Sequence, residues 1–114
     1  MNERRRYIRI PDDSEIVYQI VTYPKQFSFM TRDISLGGAR IYTHEFIPKN
    51  SLLKLNLKIK KMTFAITILS QVQWIKKDPT GINRYDVGLK FVDAPKDKIL
   101  YLEEYIRAKA RQKL

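Results

Sequence analysis

Residues 53–60 read Leu-Lys-Leu-Asn-Leu-Lys-Ile-Lys, an unbroken alternation of apolar and polar side chains. Side chains along a strand point to opposite faces in turn. Leu53, Leu55, Leu57 and Ile59 therefore share one face, and Lys54, Asn56, Lys58 and Lys60 the other. That is the pattern of a strand with one face in a core and one in water. The same period runs outward in both directions. Downstream, Phe64, Ile66, Ile68, Val72 and Trp74 fall on one face, with Thr63, Thr67, Gln71 and Gln73 on the other. Tyr85, Val87, Leu89 and Phe91 then alternate with Asp86, Gly88 and Lys90. Upstream, residues 16–22 and 27–35 read as strands joined near Pro24-Lys25, and residues 39–43 as a short strand entered through the turn at Gly37-Gly38. Asp78-Pro79-Thr80-Gly81-Ile82-Asn83 is a connection rich in turn residues.

Six sequential strands with short connections favour antiparallel pairing, and closing them on themselves removes exposed edges. The expected fold is therefore mainly β, a six-stranded antiparallel β-barrel, followed by a C-terminal α-helix. Past Pro95 the period becomes helical. Ile99, Leu102 and Ile106 make an i, i+3, i+7 stripe, thickened by Leu100 and Tyr105, that would plug or flank the barrel. The basic tail from Arg107 to Lys113 is expected to fray. Residues 13–112 make one domain, and the first dozen residues differ from it. Arg4, Arg5, Arg6 and Arg9 crowd a segment with little apolar content, and Pro11 pushes Ile10 toward an extended conformation. Residues 1–12 read as a basic arm rather than a core element, ordered when an anion binds it.

With 114 residues and 44% hydrophobic side chains, the chain can bury one modest core. It has no cysteine, which excludes disulfides, thiolate metal sites and cysteine nucleophiles. No apolar stretch follows the N-terminal Met-Asn-Glu-Arg-Arg-Arg, and no run approaches the roughly 18 apolar residues of a membrane span. The expectation is a cytoplasmic protein. Its formal net charge of +10 calls for an anionic partner: nucleic acid, nucleotide, acidic lipid or acidic protein.

Two short patterns carry chemistry. Arg5-x-x-x-Arg9 lies in the arm, and Asp33-x-Ser35-x-x-Gly38 ends the second long strand. Each alone is weak. Arg107 and Arg111 repeat the first spacing on what reads as a solvated helix face, and the second reads equally as a Ser or Asx turn into a Gly-Gly hairpin. Together and in this order they resemble the PilZ family of cyclic di-GMP receptors. Thr31–Ala39 is similar to that family's strand-turn-strand, Val72-Gln73-Trp74 to its hydrophobic-x-Trp strand, and Gly88-Leu89-Lys90-Phe91 to its glycine-hydrophobic-x-Phe strand.

The resemblance implies a ligand, cyclic di-GMP, bound outside the barrel, with no cofactor and no catalysis. A guanidinium matches guanine O6 and N7 with two parallel bonds. Guanine N1–H and its 2-amino group are donors, and the acceptor-only carboxylate of Asp33 is their natural mate. Ser35 would reach the same ligand. Gly38 would admit the ligand close to the backbone or supply a positive φ. Arg5 and Arg9 would serve phosphate or guanine by folding over the bound molecule, with Arg4, Arg6, Gly37 and Arg40 as secondary contacts. Ordering of the arm would then be read by a protein partner in trans, unless the chain is one piece of a larger protein. Trp74 reads as core rather than as a platform for the ligand, because it continues an apolar face, and Gly88 as structural.

Two other classes fit less well. An enzyme needs a nucleophile, a base and an orienting group. His44 is the single histidine, and Asp12, Asp13 and Glu15 read as solvated or turn-forming loop carboxylates. A nucleic-acid-binding small β-barrel suits the charge, but such proteins expose aromatics among basic residues on a sheet face. Here the strand aromatics follow the apolar faces.

Overall fold

The computed structural model of the chain describes residues 8–112, apart from 13, 24, 60–63 and 82. Among the described residues, seven strands precede one helix: β1 (Ile10–Pro11), β2 (Glu15–Ile20), β3 (Gln26–Ile34), β4 (Gly38–Thr43), β5 (Leu52–Lys58), β6 (Ile66–Lys77), β7 (Tyr85–Asp93) and α1 (Lys96–Gln112). Hydrogen-bonded neighbours run β3-β2-β5-β6-β7-β4, and a further β3–β4 pairing joins the two ends. Every pairing is antiparallel. The six expected strands thus curl into one ring, and the closing pair leaves no long free edge between β3 and β4.

The strand count exceeds the expected six by β1, which falls inside the expected arm. Ile10 pairs with Ile34 and Pro11 with Asp33. Ile10 is buried in the core, and the Asp12 amide donates to the Arg32 carbonyl at 2.9 Å. Residues 10–12 therefore belong to the barrel. One apolar side chain suffices to dock the segment, and Pro11 is tolerated because an edge strand need not donate at every position.

Leu53, Leu55 and Leu57 of β5 point into the core with Ile16 and Tyr18 of β2 and Ile66, Ile68 and Val72 of β6. Burying each such side chain contributes about 1.5–3 kcal/mol. Two irregularities interrupt the strict alternation. In β6, Val72 pairs with Leu89 and Trp74 with Gly88, with a shift between them, after which Ile75 pairs with Val87. The bulge lets Ile75 pack against the core in the place where Trp74 was expected. In β3, the register moves from Thr31↔Ile41 directly to Asp33↔Arg40, leaving Arg32 as the extra residue.

Pro95 opens α1, its carbonyl accepting from the Lys98 and Ile99 amides at 3.1 and 3.0 Å. Asp97 in the first turn and Lys109 and Arg111 in the last complement the helix dipole. Leu102 and Ile106 are buried, and Ile99 and Tyr105 pack beside them. Leu100 does not thicken the stripe; it is 60% exposed. The tail expected to fray is helical through Gln112. Among the described residues no helix is long and apolar enough to cross a membrane.

Candidate ligand-binding site

Cross-strand partners in an antiparallel sheet point to the same face. Asp33 of β3 pairs with Arg40 of β4, Arg40 with Gly88 of β7, and Gly88 with Trp74 of β6. Their sequence neighbours Ile34, Ala39, Ile41, Val87 and Leu89 are core residues. The row Asp33, Arg40, Gly88, Trp74 consequently lies on the outside of the barrel, and alternation puts Asp86 on the same face.

Two carboxylates and three guanidiniums interlock there. Asp33 Oδ1 accepts a short hydrogen bond from Arg9 Nη1, and Asp33 Oδ2 accepts from Arg40 Nη1 at 3.2 Å. The other end of the Arg40 fork, Nη2, donates to Asp86 Oδ2 at 3.0 Å. That same oxygen accepts from Arg32 Nη1 at 2.8 Å, because the β3 bulge turns Arg32 toward it. The hydrogen bond to Asp86 raises the Arg40 pKa, burial opposes the rise, and the charges of Asp86 and Asp33 add to it. Among the described residues, two buried atoms in this array have no hydrogen-bond partner: Arg40 Nε and Asp86 Oδ1.

The turn after β3 is stitched by Ser35. Its amide donates to the Gly38 carbonyl at 2.8 Å, its hydroxyl donates to the same oxygen at 3.3 Å, and the Gly37 amide donates to the hydroxyl at 3.2 Å. The Phe91 amide in turn holds the Gly37 carbonyl at 2.9 Å. Gly38 needs no positive φ, since no described glycine has one. What it needs is space: a Cβ there would stand 2.1 Å from the Leu89 carbonyl oxygen. Gly88 is structural in a similar way, since its Cβ would lie 2.2 Å from the Trp74 ring. Trp74 is not a core residue. It lies half-buried across Gly88, with the Arg40 guanidinium 5.8 Å and Lys76 Nζ 5.4 Å from its ring.

Of the residues singled out from sequence, the fold brings together Arg9, Asp33 and Arg40, with Ser35, Gly37 and Gly38 in the adjoining turn. Arg4, Arg5 and Arg6 lie outside the described residues, as does Asp13. Arg32 and Asp86 were missed as candidate site residues, and Trp74 was assigned to the core. Asp86 carried a usable signal, since it alternates onto the polar face with Gly88. The other two reach the site through bulges.

A family model for the PilZ domain matches residues 3–108. The chain belongs to the PilZ domain family. Solved structures repeat its fold at low identity. The Bacillus subtilis inhibitor of motility MotI/DgrA superimposes with a TM-score of 0.84 at 17% identity, over 98% of this chain and 54% of that one. The K. pneumonia MrkH–c-di-GMP complex gives 0.75 at 20% identity, over 100% and 57%. The PilZ domain of Escherichia coli YcgR with c-di-GMP gives 0.71 at 17% identity, over 96% and 94%. This PilZ domain thus spans about half the length of MotI/DgrA and of MrkH. No curated protein sequence matches it.

Two further polar clusters of the PilZ domain serve its architecture. Asp12, expected to be solvated or turn-forming, makes a turn by accepting from the Ser14 amide at 2.9 Å, but it is also buried. Its carboxylate accepts hydroxyl bonds from Thr31 of β3 and Tyr105 of α1, both short. One side chain so ties β1, β3 and the helix together. Tyr18 donates to Glu45 Oε1 at 2.6 Å, and burial, then that bond, push its pKa far up. Among the described residues no cluster of acidic or histidine side chains could hold a metal ion.

Proposed function

We propose that this PilZ domain is a cyclic di-GMP receptor that binds the dinucleotide on the outer face of β3, β4, β7 and β6. The observation that carries the reading is the Arg9–Asp33 pair, which joins the end of the arm motif to the strand-end motif across 24 residues of sequence. Both partners have the donor and acceptor sets that guanine requires. The Asp33 carboxylate would accept from guanine N1–H and the 2-amino group, each bond to a charged acceptor worth about 1.5–3 kcal/mol. Arg9, displaced from Asp33, would turn its fork to guanine O6 and N7 or to a phosphate, with Arg5 beside it. Arg40 offers a further cation, and the Trp74 ring a surface on which a base can stack. Ser35 and the glycines hold the turn that presents Asp33.

Binding would order the arm over the ligand, and a protein partner would read the new surface. The domain would act by this switch in the cytoplasm and catalyse nothing. Isothermal titration calorimetry with cyclic di-GMP, GTP and cyclic di-AMP tests the reading. Micromolar affinity, about −8 kcal/mol, is expected for cyclic di-GMP alone. No heat at high protein concentration and low ionic strength would refute it. A steep collapse of affinity with salt, as for a nucleic-acid binder, would favour that class instead.

A further inference from the structure

The two unpartnered atoms of the outer array are complementary. Among the described residues, Arg40 Nε is a buried donor without an acceptor, and Asp86 Oδ1 is a buried acceptor without a donor. Their neighbours Arg40 Nη2 and Asp86 Oδ2 are already bonded to each other at 3.0 Å. In a guanidinium, Nε–H and the adjacent Nη–H form a fork that fits both oxygens of one carboxylate. Rotation about the existing Nη2–Oδ2 contact would close that fork and satisfy both orphans at once. A buried polar atom left unsatisfied costs about 1–3 kcal/mol, so the closed pair is the better-bonded arrangement. What opposes closure is the 3.2 Å bond from Arg40 Nη1 to Asp33, which holds the guanidinium between two carboxylates.

We infer that Asp86 is a positioning residue for the nucleotide: it takes Arg40 over from Asp33 when a guanine arrives. This rests on the reading of the face as a cyclic di-GMP site. With Asp33 occupied by guanine donors, Arg40 loses one of its two anchors and closes side-on onto Asp86, through Nε to Oδ1 and Nη2 to Oδ2. Nη1 is then free to face the ligand. Asp86 is placed for this duty by its burial, 3% exposed, and by Arg32, which fixes Oδ2 from the β3 side. Without the Asp86 carboxylate, Arg40 has a single charged acceptor, Asp33, and competes with guanine for it.

Two measurements test the exchange. The Nε–H proton of Arg40, identified by its loss in Arg40→Lys, is expected to exchange slowly with solvent once cyclic di-GMP saturates the protein, and quickly before. In Asp86→Asn that protection should be absent and affinity should fall about tenfold, the scale of one charge-assisted bond. In an Arg40→Ala background the same Asp86→Asn change should alter affinity by less than about twofold. Ligand binding with an unaltered Arg40 Nε–H signal overturns the exchange and leaves the receptor reading intact. An Asp86→Asn loss of equal size with and without Arg40 also overturns it, since Asp86 would then act only through the fold. Absence of binding in the unmutated domain removes the receptor reading, and this inference with it.

Discussion

Asp78 and Asp33 are both mostly buried carboxylates paired with arginine on the same barrel, yet their surroundings differ in every respect that matters for function. Asp78, in the β6–β7 connection, has both oxygens used and one cation. Oδ1 accepts from the Thr80 amide at 3.0 Å and the Thr80 hydroxyl at 2.8 Å, and Oδ2 accepts from Arg84 Nε at 2.6 Å. Around Asp33, three arginines share two carboxylates, one oxygen serves two of them, and two buried atoms stay unpaired. In the first arrangement both carboxylate oxygens are satisfied from within the connection. The second has a surplus cation and incomplete bonding, and an anion with hydrogen-bond donors of its own would complete it. Bonding left incomplete distinguishes the candidate site from an ion pair that holds a loop.

The contrast breaks first on binding. Asp33→Ala should weaken cyclic di-GMP binding by at least about a hundredfold, because two bonds to a charged acceptor disappear together. The thermal midpoint should move little, since Arg9 and Arg40 are partly exposed and can rehydrate. Calorimetry and a melting curve on the same sample check both halves, and loss of folding together with binding would count against the assignment. Gly38→Ala sharpens the comparison from inside the motif. Its Cβ would meet backbone, the Leu89 carbonyl, rather than a side chain that can swing away. Strand β4 must therefore separate from β7 locally, at a cost of about 1–3 kcal/mol in urea denaturation. A variant as stable as the parent would return Gly38 to the role of admitting ligand.

The same contrast marks how far the residues can be read without coordinates. Period-2 alternation is a property of neighbours, so the strands containing Leu53, Ile66 and Val87 were legible, and the residue types of Arg9 and Asp33 named their chemistry. A bulge shifts the register by one residue without a characteristic side chain. Trp74 therefore read as core while Ile75 took its place, and Arg32 was not expected to face Asp86. Long-range partners are equally silent in sequence. Asp12 meets Thr31 and Tyr105, 19 and 93 positions away, and nothing local distinguishes it from a solvated turn residue. Ser35 was legible as part of a motif, but its type alone could not decide between turn and ligand, and the structure engages its hydroxyl in the turn.

The smallest expected effect lies at Asp78 and concerns pH. Its pKa is lowered from 3.8 to about 2, first by the Thr80 amide, then by the Thr80 hydroxyl, with Arg84 contributing and burial opposing. The unfolded chain therefore takes up this proton before the folded one does. The charged carboxylate stabilises the fold fully above its unfolded pKa, and that contribution disappears as pH falls through the folded value. Urea midpoints of the parent and of Asp78→Asn should differ by a constant amount from about pH 7 to about pH 5, converge below about pH 4, and coincide only below about pH 2. Cyclic di-GMP affinity should be the same in both proteins at neutral pH, because both Asp78 oxygens are already bonded within the connection. A midpoint difference that persists into strong acid would show that the side-chain amide of the variant fails to replace the Thr80 and Arg84 bonds for reasons other than charge. A loss of affinity in the variant would join the two clusters that the geometry keeps apart.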